Sequence, residues 1–172
     1  MRRTVLETNM NTIAIVSVVD VVGALAANDL TGSFYLFDDN KSRGSLDEGT
    51  ESLKTKVAKG DQVVWTSLPL ECEAYVSISS VEIDKRYKDY CDVRKDVYPG
   101  TNVVYWLGEI RKELDGPIPY TLKFKLGSHK SDLAISSAPA LIGNPSAPSQ
   151  AAPTAATPAP APIPTPAPPK TR

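Results

Sequence analysis

Apolar and polar residues alternate with a period of two along much of this chain. Leu53, Thr55 and Val57 interleave with Ser52, Lys54 and Lys56, and Tyr120, Leu122, Phe124 and Leu126 interleave with Thr121, Lys123 and Lys125. Successive side chains of a strand point to opposite faces, so each run predicts a strand with one face on a core and one in water. Residues 62–68 and 103–111 are further candidate strands, each carrying a tryptophan, Trp65 and Trp106. The stretch 71–84 changes phase: Cys72, Ala74, Val76 and Ile78 share one parity, while Val81 and Ile83 take the other. A shift of one residue flips a strand's faces, so a β-bulge near Ser79 and Ser80 is predicted. Residues 12–19 are apolar on both parities. That predicts a strand covered on both sides, or one whose outer face joins a second subunit. A last strand is expected within 132–142.

Turn signals separate these runs: Lys59-Gly60-Asp61, Pro99-Gly100-Thr101-Asn102, Asp115-Gly116-Pro117 and Gly127-Ser128-His129. No window of a dozen residues carries a helical period, and residues 24–28 suggest at most a short helical turn. Seven or eight short strands with frequent turns predict an all-β fold, an antiparallel β-sandwich of jelly-roll-like form.

Composition divides the chain. Of its 15 prolines, ten lie in residues 144–172, which also hold eight alanines, so Pro and Ala fill 18 of those 29 positions. Such a segment has too little apolar surface to offset its ordering entropy, and a disordered Pro/Ala-rich tail is expected there. In polyproline II it would reach roughly 90 Å. Residues 1–11 read as a flexible leader, which leaves 12–143 as one domain. Residues 1–143 carry 17 Lys and Arg against 20 Asp and Glu, a net charge of −3. A mildly acidic domain lacks the basic footprint of a nucleic-acid binder, so no nucleic-acid partner is expected.

The N-terminus has the outline of a secretion signal, with Arg2 and Arg3, an apolar stretch and an Ala-rich end. Asp20 inside the apolar run and Glu7 ahead of it argue against one, and for a buried first strand. A cytoplasmic location with reduced thiols follows, with secretion left open and no membrane partner. Cys72 falls on the apolar phase of its strand pattern and is read as buried, while Cys91 is placed in a charged loop. A bridge between the two is left open.

Candidate chemistry concentrates in the loop 38–48. It does not fit an EF-hand: counting from Asp38, the required Gly at position six is Arg43, and position twelve is Gly49 rather than Glu. No cofactor is expected, with a calcium site on Asp38, Asp39, Asp47 and Glu48 left open. The same loop suits a sugar. Asp38, Asn40, Arg43 and Glu48 offer partners for vicinal hydroxyls, and Tyr35, Trp65 or Trp106 offers a ring for the apolar sugar face. The competing role for the loop residues is to hold the turn, and for the tryptophans to fill the core. Residues 85–95 mix basic and aromatic side chains, but Asp84, Asp89, Asp92 and Asp96 neutralise them, so a solvated loop is expected. No catalytic constellation is present: there is no Gly-x-Ser-x-Gly elbow and no phosphate-cradling loop. The single His129 lies in a turn.

Several motifs together resemble a known family. They are a first strand ending in Asp20, the turn Gly23-Ala-Leu25 and the strand end Tyr35-Leu-Phe-Asp38. The loop Asp47-Glu-Gly-Thr-Glu-Ser-Leu53 and the strand Gly60-Asp-Gln-Val-Val-Trp65 follow, with Tyr105-Trp-Leu-Gly108 and Tyr120-Thr-Leu-Lys-Phe124 closing the series. In this order they are similar to the PixA/AidA inclusion-body protein family over residues 12–143. The final strand departs from the family's Phe-Asp-Pro-type ending, and the Pro/Ala tail is not a family feature. The resemblance implies a jelly-roll-like sandwich in small, abundant proteins that collect in intracellular inclusions, with no assigned reaction and with sugar binding, fucose in particular. The leading expectation is therefore a non-catalytic, lectin-like glycan-binding protein that forms a homo-oligomer such as a dimer. The alternative is an intracellular storage or self-assembling protein without a small-molecule ligand, in which the tail sets the spacing.

Overall fold

The computed structural model describes residues 10–143. Of the expected leader, 1–11, residues 1–9 lie outside these, as does the expected tail over 144–172. Among the described residues, ten strands build two sheets that pack face to face. The first sheet runs β2 (Phe34–Asp38), β1 (Thr12–Val19), β4 (Gln62–Pro69), β7 (Val104–Ile110) and β6 (Cys91–Val97). The second runs β3 (Lys54–Lys56), β10 (Ala140–Ile142), β8 (Ile118–Leu126) and β5 (Val76–Ile83), with the two-residue β9 (Leu133–Ala134) also on β8. The β-sandwich predicted from alternation is thus the fold. Its sheets are mixed rather than purely antiparallel, because β1 pairs β4 in parallel and β3 pairs β10 in parallel. The chain leaves the first sheet after β2, contributes β3 to the second, and returns as β4; such a crossover brings β4 alongside β1 in the same direction.

Strand parity builds the core. Ile13, Ile15 and Val19 of β1 point inward with Phe34 and Leu36 of β2, and meet Tyr120, Leu122, Phe124 and Leu126 of β8. Trp65 is fully buried, edge-on to Tyr120 with ring centroids 5.6 Å apart. Phe34 and Phe124 make the neighbouring inter-sheet pair at 6.1 Å. Each such buried side chain contributes about 1.5–3 kcal/mol. Gly108 of β7 makes room for the Trp65 indole: a Cβ there would lie 2.7 Å from the ring. Trp106 is half-buried, and its indole N–H donates to the Ile78 carbonyl across the sandwich at 3.0 Å.

The β-bulge stands where the phase break placed it, between Ile78 and Ser80. Three other expectations need correction. Residues 71–75 are not strand, so Cys72 is exposed rather than buried. The supposed solvated loop 85–95 contains only a 3-10 turn, Lys85–Tyr87, before β6 begins at Cys91, whose thiol is buried. An edge strand can carry charges on its outer face, and Asp92, Arg94 and Asp96 hid the pattern. The last strand, expected within 132–142, is broken into β9 and β10, with Pro139 between them. Both cysteines are free thiols.

The short helical turn expected at 24–28 is the end of a helix, α1 (Val21–Ala27). Asp20 caps it by accepting from the Gly23 N–H at 2.6 Å, and the Glu71 carboxylate accepts from Val21 N–H at 3.1 Å and Val22 N–H at 3.4 Å. The charge that argued against a signal peptide is therefore a helix cap, satisfying donors that no intrahelical carbonyl can reach.

Candidate functional site

The loop after β2 is stitched to β3 by its own polar side chains. Asp38 ends β2 with its carboxylate turned inward, where one oxygen accepts from the Asn40 N–H at 2.9 Å. Asn40 is buried and donates from Nδ2 to the Lys56 carbonyl at 2.6 Å. A 3-10 turn over Lys41–Arg43 then stops at Gly44, whose φ of 108° lies in the left-handed region open to glycine. The Ser45 hydroxyl accepts from the Lys56 N–H at 3.0 Å. These contacts bring Asn40 and Arg43 together on the wall of a 120 Å³ pocket, with Lys56, Val57, Ala58 and Asp61. The Asp61 carboxylate is already engaged there, accepting from the Ala58 N–H at 2.9 Å. Pockets that enclose organic ligands start near 300 Å³, so this one is small for a sugar ring.

The other predicted site residues are elsewhere. Glu48 pairs with Lys41 at 2.9 Å, and that hydrogen bond raises the Lys41 ammonium above its usual pKa. Asp47 pairs with Lys54 at 2.8 Å, and Asp39 accepts from the Ala14 N–H at 3.0 Å. Each carboxylate proposed for calcium thus has its own partner, and among the described residues no three metal-ligating side chains converge. Tyr35 lies on the outer face of the first sheet, its hydroxyl donating to the Gly32 carbonyl at 3.3 Å. Trp65 lies within the core and presents no ring to a ligand. No aromatic face therefore stands beside Asn40 and Arg43.

Two of the larger clefts are shallow. One of about 460 Å³ is lined by Leu25 and the turn Ser128 to Ser131, where His129 Nδ1 sits 2.8 Å from the Ser131 carbonyl oxygen. The other, about 430 Å³, runs between β5 and β6 past Cys91. Burial, reinforced by Asp92, pushes the Cys91 thiol up to about 12, so it is neutral and a poor nucleophile at physiological pH. Of the residues before it, Arg86, Tyr87 and Tyr90 have partners. Arg86 lies over the Tyr87 ring at 4.8 Å, Lys112 over the Tyr90 ring at 5.5 Å, and Tyr90 donates to Asp115 at 3.1 Å.

What sequence reasoning underused is the outside of the first sheet. The double apolar parity of 12–19 signalled it. Val16 pairs with Phe37, and Val18 with Tyr35, all four on the solvent side, and Leu68 of β4 continues the surface beside Val18.

A family model described as a domain of unknown function, DUF8788, matches residues 11–131. The chain belongs to this family. Its match ends before β9 and β10, the segment where the resemblance to PixA and AidA also weakened. The DUF8788 domain is similar in structure to an inclusion body protein, PixA, from Burkholderia cenocepacia. The TM-score is 0.62 at 13% identity, over 81% of this chain and 99% of that one. The two share the fold. No curated protein matches the chain.

Proposed function

We propose that this DUF8788 protein is a non-catalytic, self-associating protein of the inclusion-body type, which accumulates inside the cell and needs no small-molecule ligand to assemble. The observation that carries the proposal is the likeness of fold to an inclusion body protein, over nearly the whole of that chain. Two features of the site support it. Most polar side chains of the 38–48 loop are engaged within the protein: Asn40, Ser45, Asp39, Asp47 and Glu48 each have a partner, as does one oxygen of Asp38. Part of the exposed apolar surface, Tyr35, Phe37 and Leu68, lies together on one sheet face. No helix among the described residues is long and apolar enough to cross a membrane.

The experiment is sedimentation velocity on the full chain from about 1 μM to 1 mM without ligand, alongside microscopy of expressing cells. Reversible assembly that grows with concentration is expected, together with compact intracellular bodies. A monomer across the whole range, dispersed in cells, overturns the proposal. The lectin-like expectation has less support, since Tyr35, Trp65 and Glu48 do not meet Asn40 and Arg43. A glycan array followed by calorimetry with fucose is expected to show no binding at millimolar sugar.

A further inference from the structure

The outer face of the first sheet carries two apolar rows across its strands. The strand registers set Phe37, Val16 and Thr66 side by side in one row, and Tyr35, Val18 and Leu68 in the next. Tyr35 is 39% exposed, Phe37 40% and Leu68 56%. A sheet face of this kind normally carries polar side chains. The same face changes character on β6. Trp106 and Gly108 of β7 face the core, so Tyr105, Leu107 and Glu109 face outward, and their partners are Asp96, Arg94 and Asp92. Apolar surface therefore runs from β2 across β1 and β4 to β7, and charge lies at the far edge on β6.

We propose that this face binds a second copy of the same chain, about a two-fold axis that runs along β1; the proposal rests on the self-association reading above and names its surface. Charge selects the axis. Rotation about a line across the strands through the Val16 row would stack β6 on the second copy's β6, with Asp96, which is level with that row, over Asp96, and such a like-charge contact is unfavourable. Rotation about β1 carries β6 beyond the edge of the partner sheet and leaves its charges in water. It also lays Tyr35 over the second copy's Leu68, and Val18 over Val18, so aromatic meets aliphatic and the centre is dry. Sheets stacked this way sit ~10 Å apart with interdigitated side chains.

The area sets the strength. β1 and β4 have eight residues and β2 five, so three strands ~4.8 Å apart present on the order of 300 Å² of sheet per copy. A face of this size lies below the ~1,200 Å² at which stable specific interfaces begin, in the range of weak, transient contacts. A weak dimer in the micromolar range is the consequence, populated when the protein is abundant and dissociated when it is scarce.

The test compares the full chain with Leu68→Asp and Tyr35→Asp, both at exposed positions, and with Arg94→Glu on β6. Sedimentation should show the first two weakening the dimer at least tenfold at unchanged melting temperature, and Arg94→Glu changing it less than twofold. A second measurement does not depend on weakening. In a Cys72→Ser background, Val18→Cys lies on the axis and should cross-link to itself under mild oxidation, whereas Arg94→Cys should not. If the chain assembles but the face variants assemble equally and Val18→Cys stays uncross-linked, this face is overturned while self-association stands. If the unsubstituted chain is monomeric up to 1 mM, both fall.

Discussion

Gly108 lies between two side chains that would otherwise collide with it. A Cβ at that position would sit 2.7 Å from the Trp65 ring and 3.2 Å from the Cys91 sulfur. The cysteine is consequently packed under an indole in the core, and its thiol is pushed up to about 12 by burial. Cys72 stands in an exposed turn. A thiol reagent at pH 8 should modify one cysteine of the native chain quickly, with Cys91 at least tenfold slower, and both at equal rates in denaturant; mass mapping of the labelled peptides checks this. Equal native rates would mean that β6 is not docked as described. The sequence pattern assigned these two residues the opposite way. Cys72 shared the parity of Val76 and Ile78 without the strand reaching that far, and Cys91 was judged by its charged neighbours rather than by the faces of an edge strand. Trp65 shows the same limit from the other side: an aromatic in a strand can serve a ligand or the core, and only the register that sets it against Tyr120 decides between them.

Elements with two clean faces were legible. The strongly alternating residues 120–126 became most of β8, and the phase break at Ser79 became a bulge. Elements held by contacts distant in sequence were not. The direction of β4 beside β1 depends on a crossover through the second sheet, and the two short strands after residue 132 depend on β8 and β3 for their hydrogen bonds. The helix α1 is a third case. It has only seven residues, so propensity alone would not hold it. Its start is secured by Asp20 and by Glu71, some fifty positions away. Asp20→Ala should cost about 1 kcal/mol, a fall in melting temperature of roughly 3–6 °C. Calorimetry on the full chain measures this. Asp20→Asn, which keeps the acceptor, should recover most of the loss. If Asn were no better than Ala, the cap would not be the source of stability.

At the scale of the molecule, the candidate site and the candidate surface lie on different parts of one sheet. The polar loop at the end of β2 is largely engaged within the fold, and the outer faces of β1, β2 and β4 carry apolar side chains. That division was half-visible beforehand. The excess of apolar residues over 12–19 implied either a cover or a second subunit, and among the described residues nothing covers that face. The loop's acidic and amide side chains looked like ligands because the residues that build turns are the same ones that bind sugars and calcium.

The two margins of the first sheet have a consequence for the material such a protein would form. Along β2, Gly49 donates to the Leu36 carbonyl at 2.8 Å and Leu36 donates to the Thr50 carbonyl at 3.2 Å, so the 46–50 loop occupies part of that margin. At the opposite margin, β6 presents Asp92, Arg94, Lys95 and Asp96. Neither margin invites another chain to extend the hydrogen-bond ladder. Bodies made of this protein should therefore be stores of folded molecules, not fibrils. Isolated bodies are expected to give no meridional reflection near ~4.7 Å, to leave thioflavin T dark, and to release natively folded protein on dilution. A sharp cross-β pattern would mean that the sandwich opens before it is stored.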